Sequence, residues 1–427
     1  MGGDMRRRDV VILGAGLSGL SAALRLRHLD VEVVDASDMV GGRTRSRPLP
    51  GGGWMNYGAQ YITEDRPTVV ELADSLGVRL LESENFEDYW RTLLPADPAA
   101  RAEAEAGVAR IEAEQANPRP LTLPELDGQS FADWLGPISE EASDYFERVF
   151  QLMNSSSIVE LSVVGGFWVW GDQRTGPWNT PEIARHDRGE LIVGGGTSEL
   201  AAAAARAAGV PISLGTLVTR VRAEADGYAV ETQSNGVRGE IRARRVVCAL
   251  PGPVALHVIE ELPDWKRAAL SAVRYGRWIS TPIVITPADR PAQPFPLVAS
   301  RPRVRYNADN WLARTPGDME EGGCFHSFMS DSAARVVWHD RDESIKSGAV
   351  RAFLAAHPQF AGRIERVDIH RWRYGLPQYR VGLMQHLPAL PEAVGGIHFC
   401  GDYTLQSNME GAVRSGMRAG DEVAAAL

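Results

Sequence analysis

The stretch "DVVILGAGLSGLSAALRLRHLDVEVVDA", residues 9–36, constrains the fold more than any other part of the chain. An apolar run, a glycine turn, Leu and Ala at helical spacing and a second apolar run read as β-α-β. Gly14, Gly16 and Gly19 form G-x-G-x-x-G between strand and helix, with Ala15 and Ser18 on the same cradle. The first glycine shapes the turn, the second admits a pyrophosphate to the backbone, and the third lets helix pack on strand. Asp35 ends the second strand 21 positions beyond Gly14, with Ala36 beside it. A carboxylate there accepts ribose hydroxyls, which a purely structural turn does not require, so the spacing predicts a dinucleotide site.

A chain of 427 residues exceeds one ordinary core, which predicts two structural units. With no internal repeat or low-complexity linker, they are expected to interleave. A formal net charge of −10 repels phosphate backbones and anionic lipid, so neither is expected as a partner. Cys248, Cys324 and Cys400 have no paired spacing and read as small buried hydrophobes in a reducing compartment, without zinc or disulfides. The opening "MRRRDVVILGAG" has only four strongly apolar residues before glycine, too few for a secretory signal, and no window reaches a membrane span. A cytoplasmic protein without stable membrane insertion is expected; a homodimer is compatible. No HxxxH or carboxylate cluster argues for a metal.

Further along, "RAEAEAGVARIEAEQA" reads as a solvated helix, and residues 131–190 concentrate Trp134, Trp168, Trp170 and Trp178. Trp168 and Trp170 read first as core, on a strand or an irregular aromatic segment. "LIVGGGTSELAAAAARAA" is a glycine turn entering a helix, "TLVTRVRAEADGYAVET" a hairpin about Asp226-Gly227, and "RRVVCALP" a buried strand stopped by proline. The chain closes with strand "GIHFC", a Gly401-Asp402 turn and a terminal helix beginning near Asn408 and Met409. Gly401 leaves open space at the turn, and Asp402 offers a hydrogen-bond acceptor beside it. The helix start offers backbone N–H groups and partial positive charge to an anionic group, worth about 1 kcal/mol.

With "GAGLSG", Asp35 and then Gly41-Gly42-Arg43, the chain resembles the flavin-containing amine oxidase superfamily: monoamine and polyamine oxidases, protoporphyrinogen oxidase and plant-type carotenoid desaturases. The resemblance extends through "NYGAQYIT", "GGGTSEL", "TLVTRV", "VVCALP" and "FCGDYTLQSNMEGAV", covering nearly the whole chain. It implies an α/β fold, a Rossmann-like FAD-binding domain (5–64, 191–264 and 371–427) interleaved with a mixed α+β substrate domain (65–190 and 265–370). It also implies FAD, with Gly42 and Arg43 at the pyrophosphate, Gly58, Ala59, Gln60 and Tyr61 beside the flavin, Val218 at the adenine end, and Gly401, Asp402, Met409 and Ala412 at the ribityl and pyrimidine end.

The departures from the family pattern bear on substrate. Many amine oxidases carry a lysine linked through water to the flavin; Ser280 matches that position, and no lysine stands between Lys266 and Lys346. Asn408 stands where monoamine oxidases have a cage tyrosine, and "RWRYGLPQY" resembles the desaturase and protoporphyrinogen oxidase pattern. No cysteine lies where monoamine oxidases attach FAD, so noncovalent FAD is expected. The expected activity is transfer of a hydride from a small-molecule substrate to flavin N5, oxidising an amine to an imine with O2 or another acceptor; the alternative is C=C formation in a hydrophobic or polycyclic substrate. Gln60, Tyr374, Asn408 and His326 are the catalytic candidates, with His186 beside them. Each histidine reads first as a satisfied structural residue.

Overall fold

A computed structural model describes residues 7–49, 54–63, 66–82, 93–116, 123–170, 190–285, 309–313 and 323–427. His186 and Trp178 lie outside them.

The nucleotide-motif segment folds as strand Arg7–Leu13, helix Leu17–Leu26 and strand Val31–Val34. Val10 to Leu13 are fully buried, as an interior parallel strand covered on both faces requires. Its neighbours are Val31–Val34 on one side and Val237–Cys248 on the other, with Ile212–Ser213 beyond the first and Ile397–Phe399 beyond the second, all parallel. The other half of Val237–Cys248 continues into an antiparallel meander with Gly227–Ser234 and Thr216–Glu224, the hairpin expected at Asp226-Gly227. The chain thus has an α/β architecture with a Rossmann-like core.

Helix Met409–Ala426 returns the C-terminus to this core by packing on Leu17–Leu26. Small residues permit the approach. A Cβ on Gly416 would lie 2.1 Å from the Ser18 carbonyl oxygen, and one on Gly420 would lie 3.0 Å from that of Ala22. The two motif-bearing ends of the chain are therefore pressed together.

A second sheet is antiparallel, in the order Ile364–Val367, Ile283–Ile285, Gly323–Met329, Arg274–Ser280, His370–Gln378, with Asp309–Ala313 also on Gly323–Met329. Strand His370–Gln378, grouped by sequence with the FAD-binding segments, hydrogen-bonds within this sheet. Its partner strand dictates its place, although its end reaches toward the first domain.

Helices Pro98–Ala116, Glu140–Asn154 and Val163–Trp170 form a wall around buried Phe131, Phe146, Phe150 and Phe167. Trp168 and Trp170 are helical, not on a strand or irregular segment. Gly165 and Gly166 allow close packing within this helix: a Cβ on each would lie 2.4 Å from Tyr379 and 2.3 Å from Phe131, respectively. The Ala/Glu-rich helix is only partly solvated, since Ala100, Ala104 and Ile111 are buried. No helix among the described residues is long and apolar enough to cross a membrane.

Candidate FAD and substrate site

A cavity of about 700 Å³ runs along the carboxyl ends of the parallel strands, where open α/β sheets place ligands. Gly14, at φ +104°, turns the chain out of the first strand, and its N–H donates to the Val34 carbonyl at 2.8 Å. Gly16, Leu17 and Ser18 then present the start of the first helix to the cavity. A Cβ on Gly16 would meet no protein atom within 4 Å, so the space there is left for a ligand. A Cβ on Gly19 would lie 1.9 Å from the Gly14 carbonyl oxygen, which makes this glycine the helix–strand contact.

Asp35 lines the cavity beside Ala36 and Val218. Its oxygens accept the Ala15 N–H and the Ser37 N–H, each at 2.7 Å. A carboxylate has about four acceptor sites, so capacity remains for ribose hydroxyls.

Arg43 and Asp402, expected at the pyrophosphate and the ribityl chain separately, are bonded to one another. The guanidinium donates to both carboxylate oxygens at 2.6 and 2.7 Å and to the Gly375 carbonyl at 3.0 Å. Asp402 is only 4% exposed, and a buried carboxylate requires such a partner. The pairing raises the Arg43 pKa further and joins the GGR turn, the Gly-Asp turn and the second sheet. Gly401 adopts φ +135°, a conformation natural to glycine.

The segment 58–61 lines the cavity between Arg43 and the second sheet. The Ala59 N–H donates to the Arg43 carbonyl at 3.0 Å, and Gln60 is oriented at both ends of its amide: Oε1 accepts from Asn56 at 3.3 Å and Nε2 donates to the Gly58 carbonyl at 2.8 Å. Tyr57 anchors the segment through its carbonyl, which accepts from Trp372 Nε1 at 2.6 Å and from the Ser280 hydroxyl. Ser280 is wholly buried in that role and absent from the cavity wall, whereas Trp278 lines it.

Beyond this segment the cavity becomes an aromatic chamber. Trp372, Tyr374, Tyr379 and Trp168 line it, together with Tyr275 and Trp278. The Tyr275 and Tyr374 rings meet edge-on at 5.5 Å, and Trp168 and Tyr379 do so at 5.2 Å. The Tyr379 hydroxyl accepts the Ser407 N–H at 2.7 Å. Asn408, Met409 and Ala412 bring the start of the terminal helix to the same wall. Asn408 is its N-cap, accepting the Gly411 N–H at 2.9 Å.

The cavity thus gathers the sequence-derived cofactor residues except Ala15 and Gly19, whose parts are a backbone bond to Asp35 and helix packing. Of the catalytic candidates, Gln60, Tyr374 and Asn408 line it and His326 does not. His326 is fully buried on strand Gly323–Met329, where neither ring nitrogen has a hydrogen-bond partner among the described residues and burial lowers its pKa to about 3. It is therefore neutral and unsatisfied, contrary to the reading as a satisfied residue. Trp168, Leu152, Met153, Trp278 and Trp372 are wall residues that sequence reasoning did not single out as such. For Trp372 a signal existed: it alternates with Tyr374 and Leu376 on one strand face.

The family model for flavin containing amine oxidoreductases matches residues 17–424. The chain belongs to this family. As a flavin-containing amine oxidoreductase it is a FAD-dependent oxidoreductase, and the open space at Gly16, the helix start and Asp35 fit that cofactor. It is 26% identical over 262 residues to an L-amino acid dehydrogenase of Synechocystis sp., covering 54% of each chain, so this match spans about half the relative's length. It is 24% identical to an L-amino-acid oxidase of Siganus canaliculatus, across 97% of this chain and 85% of that one. Its fold is similar to that of a cyclohexylamine oxidase from Brevibacterium oxydans, with a TM-score of 0.77 at 20% identity, covering 98% and 99% of the two chains.

Proposed function

We propose that this flavoenzyme oxidises the C–N bond of a small amino compound to an imine, with dioxygen as acceptor and FAD held noncovalently. The observation that carries the reading is an aromatic chamber continuous with the cofactor cradle. Asp35, Asp402 and Glu410 are the carboxylates on the described cavity wall. The first accepts two backbone N–H groups, the second the Arg43 fork, and the third the Val69 N–H at 2.9 Å through Oε2, while its buried Oε1 lies 4.0 Å from Arg414. Desolvation disfavours the charged form of an entering amine, so its nitrogen lone pair becomes available.

Bound FAD supplies a two-electron acceptor at its N5 atom. The chain supplies position and dryness: Tyr374, Trp372 and Tyr379 give flat faces that orient the substrate, and Gln60 offers a fixed amide. Cys248, Cys324 and Cys400 are buried away from the cavity wall, and burial raises their thiol pKa values to about 11, 12 and 12, which supports noncovalent attachment.

Anaerobic mixing of the yellow protein with primary, secondary and cyclic amines and L-amino acids tests the reading. Loss of the visible flavin bands, with ammonia, aldehyde or keto acid recovered in equal amount, is expected. A panel that never bleaches counts against it. The second reading, desaturation, is favoured by the Leu376–Tyr379 end of the chamber wall, and its product would carry a new C=C bond and release no ammonia.

A further inference from the structure

A separate hollow of about 200 Å³ shares no lining residue with the FAD cavity. Its wall includes Arg45, Arg47, Lys346, Tyr57, Asp368 and His370. Three cations around one small hollow stand out in a chain whose net charge is −10.

Their counter-charges leave them available. Arg47 stacks its guanidinium over the Tyr57 ring at 5.7 Å and makes no hydrogen bond or ion pair among the described residues. Arg45 pairs with Asp38, which is 77% exposed, and Lys346 pairs with Glu343, which is 82% exposed. Exposed pairs of this kind are weak and exchange readily. Asp368, the carboxylate in the wall, is already neutralised: Arg366 donates to its two oxygens at 2.8 and 2.7 Å, and the Tyr57 hydroxyl donates at 2.5 Å. Burial together with Arg45 and Arg47 lowers the His370 pKa to about 4, which leaves a neutral ring able to donate one N–H.

We propose that this hollow binds a small oxyanion with two or more negative charges, a phosphate group or a dicarboxylate. The Arg47 fork matches two oxygens of such a group, and Lys346 and Arg45 complete the charge balance by turning from their exposed partners. A singly charged halide has no geometry for the fork. The hollow lies against Tyr57, whose backbone carbonyl accepts from Trp372 Nε1 of the FAD cavity wall, so the anion would sit one residue layer from the cofactor site without entering it.

Isothermal titration of the FAD-loaded protein with inorganic phosphate and, separately, with malonate, at constant ionic strength against a chloride reference, tests the site. One saturable site per chain is expected for at least one anion, weakened at least tenfold by Arg47→Ala and abolished by Arg47→Ala with Lys346→Ala. An unchanged visible flavin spectrum in both variants shows that they are folded and loaded. Binding of phosphate alone assigns a phosphoryl ligand, and binding of malonate alone assigns a dicarboxylate. Heats no greater than those of chloride, or binding that survives the double substitution, would overturn the proposal.

Discussion

Arg43 and Asp402 are 359 positions apart in sequence, yet the Arg43 guanidinium grips both oxygens of the Asp402 carboxylate. The turn that follows the nucleotide fold is thereby locked to the turn that precedes the terminal helix. Arg43→Ala leaves a buried carboxylate unpaired and is expected to cost about 3 kcal/mol in stability, with loss of FAD. Arg43→Lys keeps the charge but not the fork, and should retain part of both. Urea denaturation and visible absorbance read the two effects; an Arg43→Ala protein as stable and as yellow as the parent would refute the lock.

Gly16 and Gly19 separate ligand space from packing. Gly16→Val places its side chain in the cavity without meeting protein, so the apoprotein should unfold at the parent's denaturant midpoint yet purify colourless. Gly19→Ala drives a methyl into the Gly14 carbonyl and should destabilise the apoprotein by about 3 kcal/mol. The reverse pattern would mean that the cradle is misassigned.

Asn408 caps the terminal helix through its side-chain oxygen. Asn408→Ala should lower stability by about 1 kcal/mol, whereas Asn408→Asp keeps an acceptor at the cap and should stay within a few tenths of the parent. Thermal unfolding distinguishes them. No loss in Asn408→Ala, or a loss in Asn408→Asp as large as in Asn408→Ala, would contradict a cap that acts through the side-chain acceptor.

His326 predicts an acid limb in the stability curve. Its folded pKa is about 3, below the value of 6.5 for an unperturbed histidine. Between those values the unfolded chain binds a proton that the folded chain does not, so stability falls as pH drops from about 6.5 toward 3, by up to about 1.4 kcal/mol per pH unit. His326→Phe removes the His326 share of the slope, leaving that of His370, whose pKa burial also lowers to about 4, and it removes two unsatisfied buried nitrogens, so the variant should be no less stable than the parent at pH 7. An unchanged acid limb in that variant would contradict the assignment.

The cofactor half was legible because its residues sit in local motifs: Gly14, Gly16 and Asp35 are fixed relative to one another by one strand, one turn and one helix. Asp402 and the helix start at Met409 were legible for the same reason. The pairing of Arg43 with Asp402 was not, since each motif alone offers its charge to a ligand and only packing of the two ends turns one toward the other. The helix holding Trp168 was misread because Gly165 and Gly166 break a helical pattern on paper while fitting beneath Tyr379 and Phe131 in space. For His326, the alternation in "CFHSFM" gives two faces but not that neither lines the cavity.

The proposed amine oxidation breaks the substrate C–H bond next to nitrogen, beside the FAD cradle. Rapid anaerobic mixing of the holoprotein with an amine that reduces it, and with the same amine deuterated at the α-carbon, tests this most directly. Deuteration is expected to slow the loss of flavin absorbance several-fold, with one equivalent of imine-derived carbonyl product per flavin. Equal rates for the two amines in a chemically limited reaction, or a carbonyl-free product bearing a new C=C bond, would contradict it.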